Sequence, residues 1–326
     1  MDDRSTDGTA DVARRIAADV GQSSRLRVVT GAPLPEGWVG KVWALEQGCR
    51  IAPANPQSFY LLTDADILHA PSSLRRLVSE SAAAGLGLNS RMARLRCQSS
   101  AERLLIPAFV FFFNLLYPMR RVNNPRDPLA AAAGGCVLLS REAIEKIGGF
   151  ACIRGEIIDD VNLARQVKSA GLRIRLSLSR TDVVSLREYP RLGDVWSMVR
   201  RSAFIELKYS WLRLAGAVLG LGLVFVAPVV AVCGGLAAVA FGASGDVVVT
   251  GLWALCKGLL ALAVMRHVYG PAVSFFGLPR RAAYSLPLAG VLYGLMTLDS
   301  ARRHALGRGE RWREPPVPPS RPTAHP

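Results

Sequence analysis

The sequence predicts an α/β domain built on a mostly parallel sheet and followed by C-terminal transmembrane helices. Three observations predict it. Up to about residue 211, short β-branched or apolar runs alternate with stretches of helical periodicity, the pattern of βαβ units. Beyond that point the chain loses almost all charge over runs long enough to cross a bilayer. In the first part, the apolar run Phe59 to Thr63 leads straight into Asp64-Ala65-Asp66. That places two carboxylates at a strand end, where open α/β sheets hold their ligands.

The chain opens on Met1-Asp-Asp-Arg-Ser-Thr-Asp-Gly-Thr9, a polar loop of the kind that follows a strand. Ser5 or Thr6 is expected to cap a helix over Thr9 to Asp19, with Val12, Ile16 and Ala17 on one side. Val28-Val29 marks a short strand over Leu26 to Thr30. A Pro/Gly-rich loop from Gly31 then leads to a helix over Lys41 to Ala52, with Val42, Leu45 and Cys49 on one face. After the Phe59 to Thr63 strand, Pro71 opens a helix to about Ala84, and Leu86 to Asn89 is the next strand. Leu104 to Met119 breaks the alternation. It is apolar nearly all round and flanked by Arg103 and Arg120-Arg121, so it suits either a buried core helix or a segment lying in lipid headgroups.

Ala130 to Ser140 is a small-residue loop entering a strand, and Arg141 to Ile147 a short helix closed by Gly148-Gly149. Asp159 to Ala170 is a helix that Gly171 ends. Leu172 to Ser177 and Val183 to Leu186 read as strands. Tyr189 to Tyr209 reads as a basic amphipathic helix with Leu192, Val195, Val199 and Phe204 on its apolar side.

Leu212 to Phe241 carries one charge, Arg213, and is long enough for a tilted transmembrane helix. Val247 to Met265 is a second candidate despite Lys257; Val268 to Leu278 is apolar but short; Ala282 to Leu298 is a third candidate, broken by Pro287. The loop between the first two candidates has no basic residue, whereas Arg266, Arg280-Arg281 and the tail are basic. The positive-inside rule therefore favours an even number of crossings with both ends cytosolic. The formal charge of +15 suits nucleic acid, phosphorylated substrates or an anionic membrane surface. With long apolar runs in the same chain, the bilayer is the expected partner and nucleic acid is not. The cysteines are scattered without a C-x-x-C pair, which points to reduced thiols. From Pro315 the tail has the composition of a disordered segment.

Acidic residues gather at Asp2-Asp3 with Asp7, at Asp64 with Asp66, and at Asp159-Asp160, with Asp182 alone. Two hard oxygen ligands with open positions suit Mg2+ or Mn2+, which bridge carboxylates to substrate phosphates. Such an ion would neutralise a departing diphosphate. A separate carboxylate in the first turn of a helix could take the proton of an attacking hydroxyl; in that position it also complements the helix dipole, which by itself would account for Asp159-Asp160. This division of labour matches glycosyl transfer from a nucleotide sugar.

Five segments, in this order, resemble the family 2 inverting glycosyltransferases of the GT-A (Rossmann-like) fold. The Asp2 to Thr9 loop is similar to the motif after that family's second strand. Gly40-Lys41 with Ala44-Leu45 and Gly48 resembles its G-K-x-x-A-L-x-x-G helix, and Thr63-Asp-Ala-Asp66 its metal-binding D-x-D. Gly134-Gly135 with Arg141 and Gly148-Gly149-Phe150 resembles its acceptor-side segment. Asp159-Asp160-Val-Asn-Leu-Ala-Arg165 with Gly171 is similar to the element that carries its catalytic base, with Asp159 where the family has Glu. The stretches around Trp38 and Trp43 and around Pro107 resemble the hopene-associated members of bacterial hopanoid clusters.

The resemblance implies that Asp3 contacts the nucleotide base, that Lys41 and Asp64 hold the nucleotide, and that Asp66 binds Mg2+ or Mn2+. It makes Asp160 the base for in-line attack with inversion, and puts Gly134, Gly135 and Asp159 on the acceptor side. The Q-x-x-R-W signature of processive members is absent; Arg200-Arg201 lie at a comparable place and are candidates to hold the diphosphate. The family's first strand, with its Pro-x-x-Asn-Glu end, has no counterpart, so the chain is expected to be short of that strand. The expected organisation is a GT-A domain over 1–189, an amphipathic interfacial helix over 190–211, a transmembrane region over 212–300 and a basic, Pro-rich cytosolic tail over 301–326. The expected activity moves a sugar from a nucleotide-diphosphate sugar to a membrane lipid, with the catalytic domain on the cytosolic side of a bacterial inner membrane. A non-catalytic membrane scaffold and a polysaccharide synthase are the alternatives.

Overall fold

The computed structural model describes residues 1–52 and 59–307, so the tail expected to be disordered from Pro315 lies outside the described residues. Helix α1 (Thr9–Asp19) starts after Gly8 in the left-handed conformation, φ 79°. Asp7 Oδ1 accepts from Thr9 N at 3.1 Å and from Thr9 Oγ1 at 2.6 Å, so Asp7 takes the place expected of Ser5 or Thr6. Leu26 to Thr30 does not form the expected strand. One parallel bridge joins Thr30 to Asp2, and a β-branched pair without a longer ladder leaves its backbone to other partners. Helix α2 (Gly40–Ile51) buries Val42 completely, and its entry is pinned by Val39 N donating to Arg154 O at 2.7 Å.

The elements that follow are β1 (Phe59–Thr63), β2 (Ile67–His69), α3 (Ser73–Ala84), β3 (Leu86–Met92), α4 (Ser100–Leu116) and the single turn α5 (Met119–Val122). Then come β4 (Cys136–Ser140), α6 (Arg141–Ile147), α7 (Asp159–Ser169), β5 (Arg173–Leu178), β6 (Val183–Ser185) and α8 (Leu192–Glu206). The main sheet runs β1-β4-β3-β5, and β2 pairs with β6 in a separate antiparallel ribbon. The sheet is mixed, which corrects the expectation of a mostly parallel one. β4 is antiparallel to both β1 and β3, and β3 with β5 is the parallel pair. An apolar run records only that both faces are covered; it does not record direction. In β4, Val137 and Leu139 meet Leu88, Val161, Val167 and Leu176 on one face, while Cys136 and Leu138 meet Leu77 and Val183 on the other.

Antiparallel pairing of β1 with β4 positions the site. Thr63 lies opposite Cys136, so the residues just after β1 and just before β4 share one edge.

The apolar stretch near Pro107 is a core helix. A capping box starts α4: Ser99 Oγ accepts from Glu102 N at 3.1 Å, and Glu102 Oε2 accepts from Ser99 N at 2.9 Å. Leu105, Ile106, Ala108 and Val110 are buried among Val195 and Val199 of α8 and side chains of the C-terminal helices. Glu102 is fully buried and also accepts from Gln98 N at 2.7 Å, Tyr189 N at 2.8 Å and Arg96 Nη1 at 3.3 Å. Burial acts to raise its pKa, but the backbone donors and Arg96 outweigh burial and hold it below the ordinary glutamate value. Glu102→Leu leaves these donors without an acceptor and is expected to cost about 3–5 kcal/mol in urea unfolding of the detergent-solubilised protein. Because the folded pKa is depressed, wild-type stability from this group is present above pH 4.5 and is lost as pH falls through the lower folded value.

Beyond α8, α9 (Trp211–Leu221), a π turn (Gly222–Val226) and α10 (Ala227–Phe241) make one apolar helix of 31 residues. Pro228 has no N–H to continue the α ladder, which explains the widened turn just before it. The helix α11 (Gly245–Phe275) also has 31 residues, and in it the expected second span and most of the short Val268 to Leu278 stretch are one element. Only 11 % of the most apolar window of each is buried, so neither is a core helix of a water-soluble protein. The two pack closely: a Cβ added at Gly235 would stand 2.7 Å from Gly251 O.

After a 3-10 turn over Arg280–Ser285, α12 (Leu286–Ala305) differs. Its Ala289, Tyr293 and Met296 are buried in the core shared with α4 and α8, and Tyr293 OH donates to Leu105 O at 3.0 Å. The third expected span is thus a docked helix, and among the described residues two helices are long and apolar enough to cross a membrane.

Candidate active site

Lys41, in the first turn of α2, draws together acids from two other elements. Its Nζ lies 3.4 Å from Asp64 Oδ1 and 3.2 Å from Asp159 Oδ2. Asp64 arrives because β1 ends there; Asp159 and Asp160 arrive in the first turn of α7, where acids suit the positive end of the helix. Asp160 Oδ2 accepts from Gly134 N at 2.8 Å, and its Oδ1 from Val161 N at 2.8 Å. A Cβ at Gly134 would stand 3.0 Å from Lys41 Nζ and 3.3 Å from Asp160 Oδ2, so any side chain there would push on both groups. Gly135 O accepts from Asp64 N at 3.3 Å and from Thr63 Oγ1 at 3.1 Å, locking the glycine loop to the end of β1.

Burial acts to lower the Lys41 pKa, but Asp159, Asp64 and Asp160 together outweigh it and raise the pKa well above the ordinary lysine value. For Asp160 the balance goes against the charge. Burial, with the Asp159 charge beside it, pushes its carboxyl up to about 6, against the opposing pull of Lys41 and the two backbone donors. A carboxylate with that proton affinity can act as a base near neutral pH.

Asp66 sits apart from this cluster. Its carbonyl accepts from Leu186 N at 2.8 Å, which holds the loop after β6 and brings Arg187 Nη1 to 4.0 Å from Asp66 Oδ2. Among the described residues no three His, Cys, Asp or Glu side chains form a metal cage. Asp64 and Asp66 are both half-exposed carboxylates, the first against Lys41 and the second near Arg187.

A family model described as "Glycosyltransferase like family 2" matches residues 1–206, more than half of the chain. The chain belongs to glycosyltransferase family 2. It matches none of the curated proteins with which it was compared.

The match runs from the first loop to the end of α8, so every site residue expected from the sequence lies within the glycosyltransferase part. Lys41, Asp64, Asp159, Asp160, Gly134 and Gly135 meet. Asp3 does not join them: it is exposed beside the Asp2–Thr30 bridge, and no hydrogen bond or ion pair ties it to the Lys41 group. The two arginines of α8 part company. Arg200 Nη1 lies 3.6 Å from Asp299 Oδ2 on α12, and the same carboxylate accepts from Trp196 Nε1 at 2.9 Å. Arg201 is not brought to the Lys41 group by any contact among the described residues. Arg187 escaped the sequence reading; its only signal was a basic residue directly after a strand.

Proposed function

We propose that this family 2 glycosyltransferase is a membrane-anchored, inverting enzyme that moves a sugar from a nucleotide-diphosphate sugar to a lipid acceptor. The carrying observation is the Asp160 carboxyl, held by the Gly134 and Val161 amides beside Lys41 and raised toward neutral proton affinity. The acceptor oxygen attacks the anomeric carbon while its proton passes to Asp160. The bond from that carbon to the diphosphate oxygen breaks, and its electron pair leaves with the nucleoside diphosphate. Attack from the face opposite the leaving group inverts the anomeric centre.

Asp66, with Asp64 beside it, would hold Mg2+ or Mn2+, which supplies charge neutralisation to the departing diphosphate. Arg187 adds positive charge on the same side, Lys41 keeps Asp64 and Asp159 in place, and Asp3 is assigned to the nucleotide base. Two long helices with outward-facing apolar surfaces support a multi-pass anchor with the catalytic domain in the cytosol. α4 and α8 join the sheet to those helices and would set the site at the headgroups, which is why a lipid is the acceptor. Hopanoid-type lipids are the first acceptors to try, given the Trp38, Trp43 and Pro107 stretches.

The test uses membranes carrying the full chain and labelled UDP-glucose, UDP-N-acetylglucosamine or GDP-mannose. Label is expected in extracted lipid when Mg2+ or Mn2+ is present, EDTA should abolish it reversibly, and Asp66→Ala should lower it by about 100-fold or more. No labelled lipid from any donor overturns the enzymatic reading in favour of a scaffold. Transfer indifferent to EDTA and to Asp66→Ala removes the metal from the reaction.

A further inference from the structure

The open side of α12 carries an ordered stripe. Leu288, Val291, Leu295 and Leu298 are exposed apolar residues at helical spacing, and the exposed Arg302 continues the same line. Beside the end of this stripe lies a cleft of about 750 Å³, walled by Leu295 and Leu298 of α12 and by Trp211 and Leu214 of α9. Asp299 and Arg302 form its polar side. Packing fixes how the stripe lies along the first 31-residue helix. Gly290 is against Phe225, where a Cβ would stand 2.8 Å from the ring, whereas Ala301 packs with Leu214 and Phe204. Trp211 and His304 both meet the Phe204 ring, with centroids 5.2 and 5.5 Å away. α12 thus runs antiparallel to that helix, with its leucines alongside it and Arg302 level with Trp211, where the helix begins. Apolar residues followed by a tryptophan and an arginine repeat the order of acyl chain and headgroup in one leaflet. Asp299 does not neutralise Arg302. Its carboxylate accepts from Trp196 Nε1 at 2.9 Å and lies 3.6 Å from Arg200 Nη1, and Arg302 has no carboxylate at ion-pair distance among the described residues. None of Lys41, Asp64, Asp159 and Asp160 lines the cleft, so it is separate from the transfer site.

We propose that this cleft seats one anionic phospholipid of the bilayer, with its phosphate on the Arg302 guanidinium and an acyl chain along Leu298, Leu295 and Leu214. A guanidinium offers paired donors that match phosphate oxygens. The apolar wall selects a lipid over free phosphate, which would leave Trp211 and the leucines in water. The lipid fills the seam between α9 and α12 and so fixes the first spanning helix on the core shared with the catalytic domain. This rests on the bilayer anchoring proposed above and adds to it a resident lipid that is not the acceptor.

The test strips the detergent-purified full chain of lipid and titrates it with phosphatidylglycerol or phosphatidylcholine of matched chains, reading binding by native mass spectrometry and by melting temperature. Wild type is expected to bind one phosphatidylglycerol about fivefold more tightly than phosphatidylcholine, the worth of one arginine against an anionic headgroup, and to melt higher with it. Arg302→Gln, which disturbs no contact of the fold, should lose that preference, and Arg302→Lys should keep part of it. Arg281→Gln changes a basic residue outside the cleft and should keep all of it. Inorganic phosphate should give no shift. Equal binding of the two lipids by wild type, or an unchanged preference in Arg302→Gln, overturns the site. So does a preference lost equally in Arg281→Gln, which reads a generally basic surface, or a phosphate shift equal to that of the lipid. A raised acceptor KM in Arg302→Gln with phosphatidylglycerol binding unmoved also overturns it and gives the cleft to the acceptor. A full chain absent from the membrane fraction overturns the anchoring itself.

Discussion

Replacing Asp160 with asparagine is expected to lower kcat by about 10²–10⁴-fold while leaving the donor KM nearly unchanged. Asparagine keeps the shape and an acceptor oxygen for one of the Gly134 and Val161 amides, but it cannot take a proton. Wild-type kcat/KM should rise with pH through about 6 as Asp160 loses its proton, and that limb should vanish in the variant. Stability moves the other way. The folded pKa stands above the ordinary 3.8, so the folded state binds the proton more tightly, and this contribution to stability fades as pH rises from 3.8 to about 6. At pH 7 the asparagine variant therefore gives up no charge stabilisation, and any fall in its melting temperature in detergent reads the one amide left without an acceptor. A variant that keeps wild-type kcat removes Asp160 from the proton transfer.

Lys41→Met is expected to produce the second large effect, on stability and on the pH profile together. The ammonium sits among three carboxylates from two elements, and removing it leaves Asp64, Asp159 and Asp160 to repel one another. With the side chain partly open to water, the loss should fall near the lower end of about 3–5 kcal/mol in urea unfolding. The wild-type Lys41 pKa is raised, so its stabilisation is complete at neutral pH and disappears only as pH climbs above 10.5 and through the folded value. Lys41 is also the largest influence holding the Asp160 pKa down. Its loss should therefore move the rising limb of kcat/KM to higher pH, whereas Lys41→Arg should move it little. A limb that stays at the wild-type pH in Lys41→Met would show that Lys41 and Asp160 are not coupled in the working enzyme.

The members of this site were legible in the sequence because each stands at a local landmark. Asp64 and Asp66 end an apolar strand, Lys41 opens a helix after a Pro/Gly loop, and Asp159-Asp160 open one that Gly171 closes. Gly134-Gly135 precede an apolar run. Such signals are short-range: capping, turn chemistry and hydrophobic period act over a few residues and survive without tertiary partners. The length and low charge of the chain after Trp211 are equally local, and they sufficed for two helices able to cross a membrane.

Partnership was decided only in three dimensions. Nothing in Cys136 to Ser140 records that β4 runs against β1, yet that direction is what delivers Gly135 to Asp64. Arg200 and Arg201 look alike in sequence, but about 100° of helical rotation separates them, and Arg200 is the one brought to Asp299 on α12. Val28-Val29 has the composition of a strand and no ladder to join, and Ala282 to Leu298 has much of the composition of a span but is docked on α4 and α8. The Tyr117 hydroxyl reaches Glu206 only because α4 and α8 pack side by side. Composition and period determined what each segment of this glycosyltransferase could become. The pairing of distant segments depends on surfaces that exist only after folding, and those surfaces decided which acid faces which base.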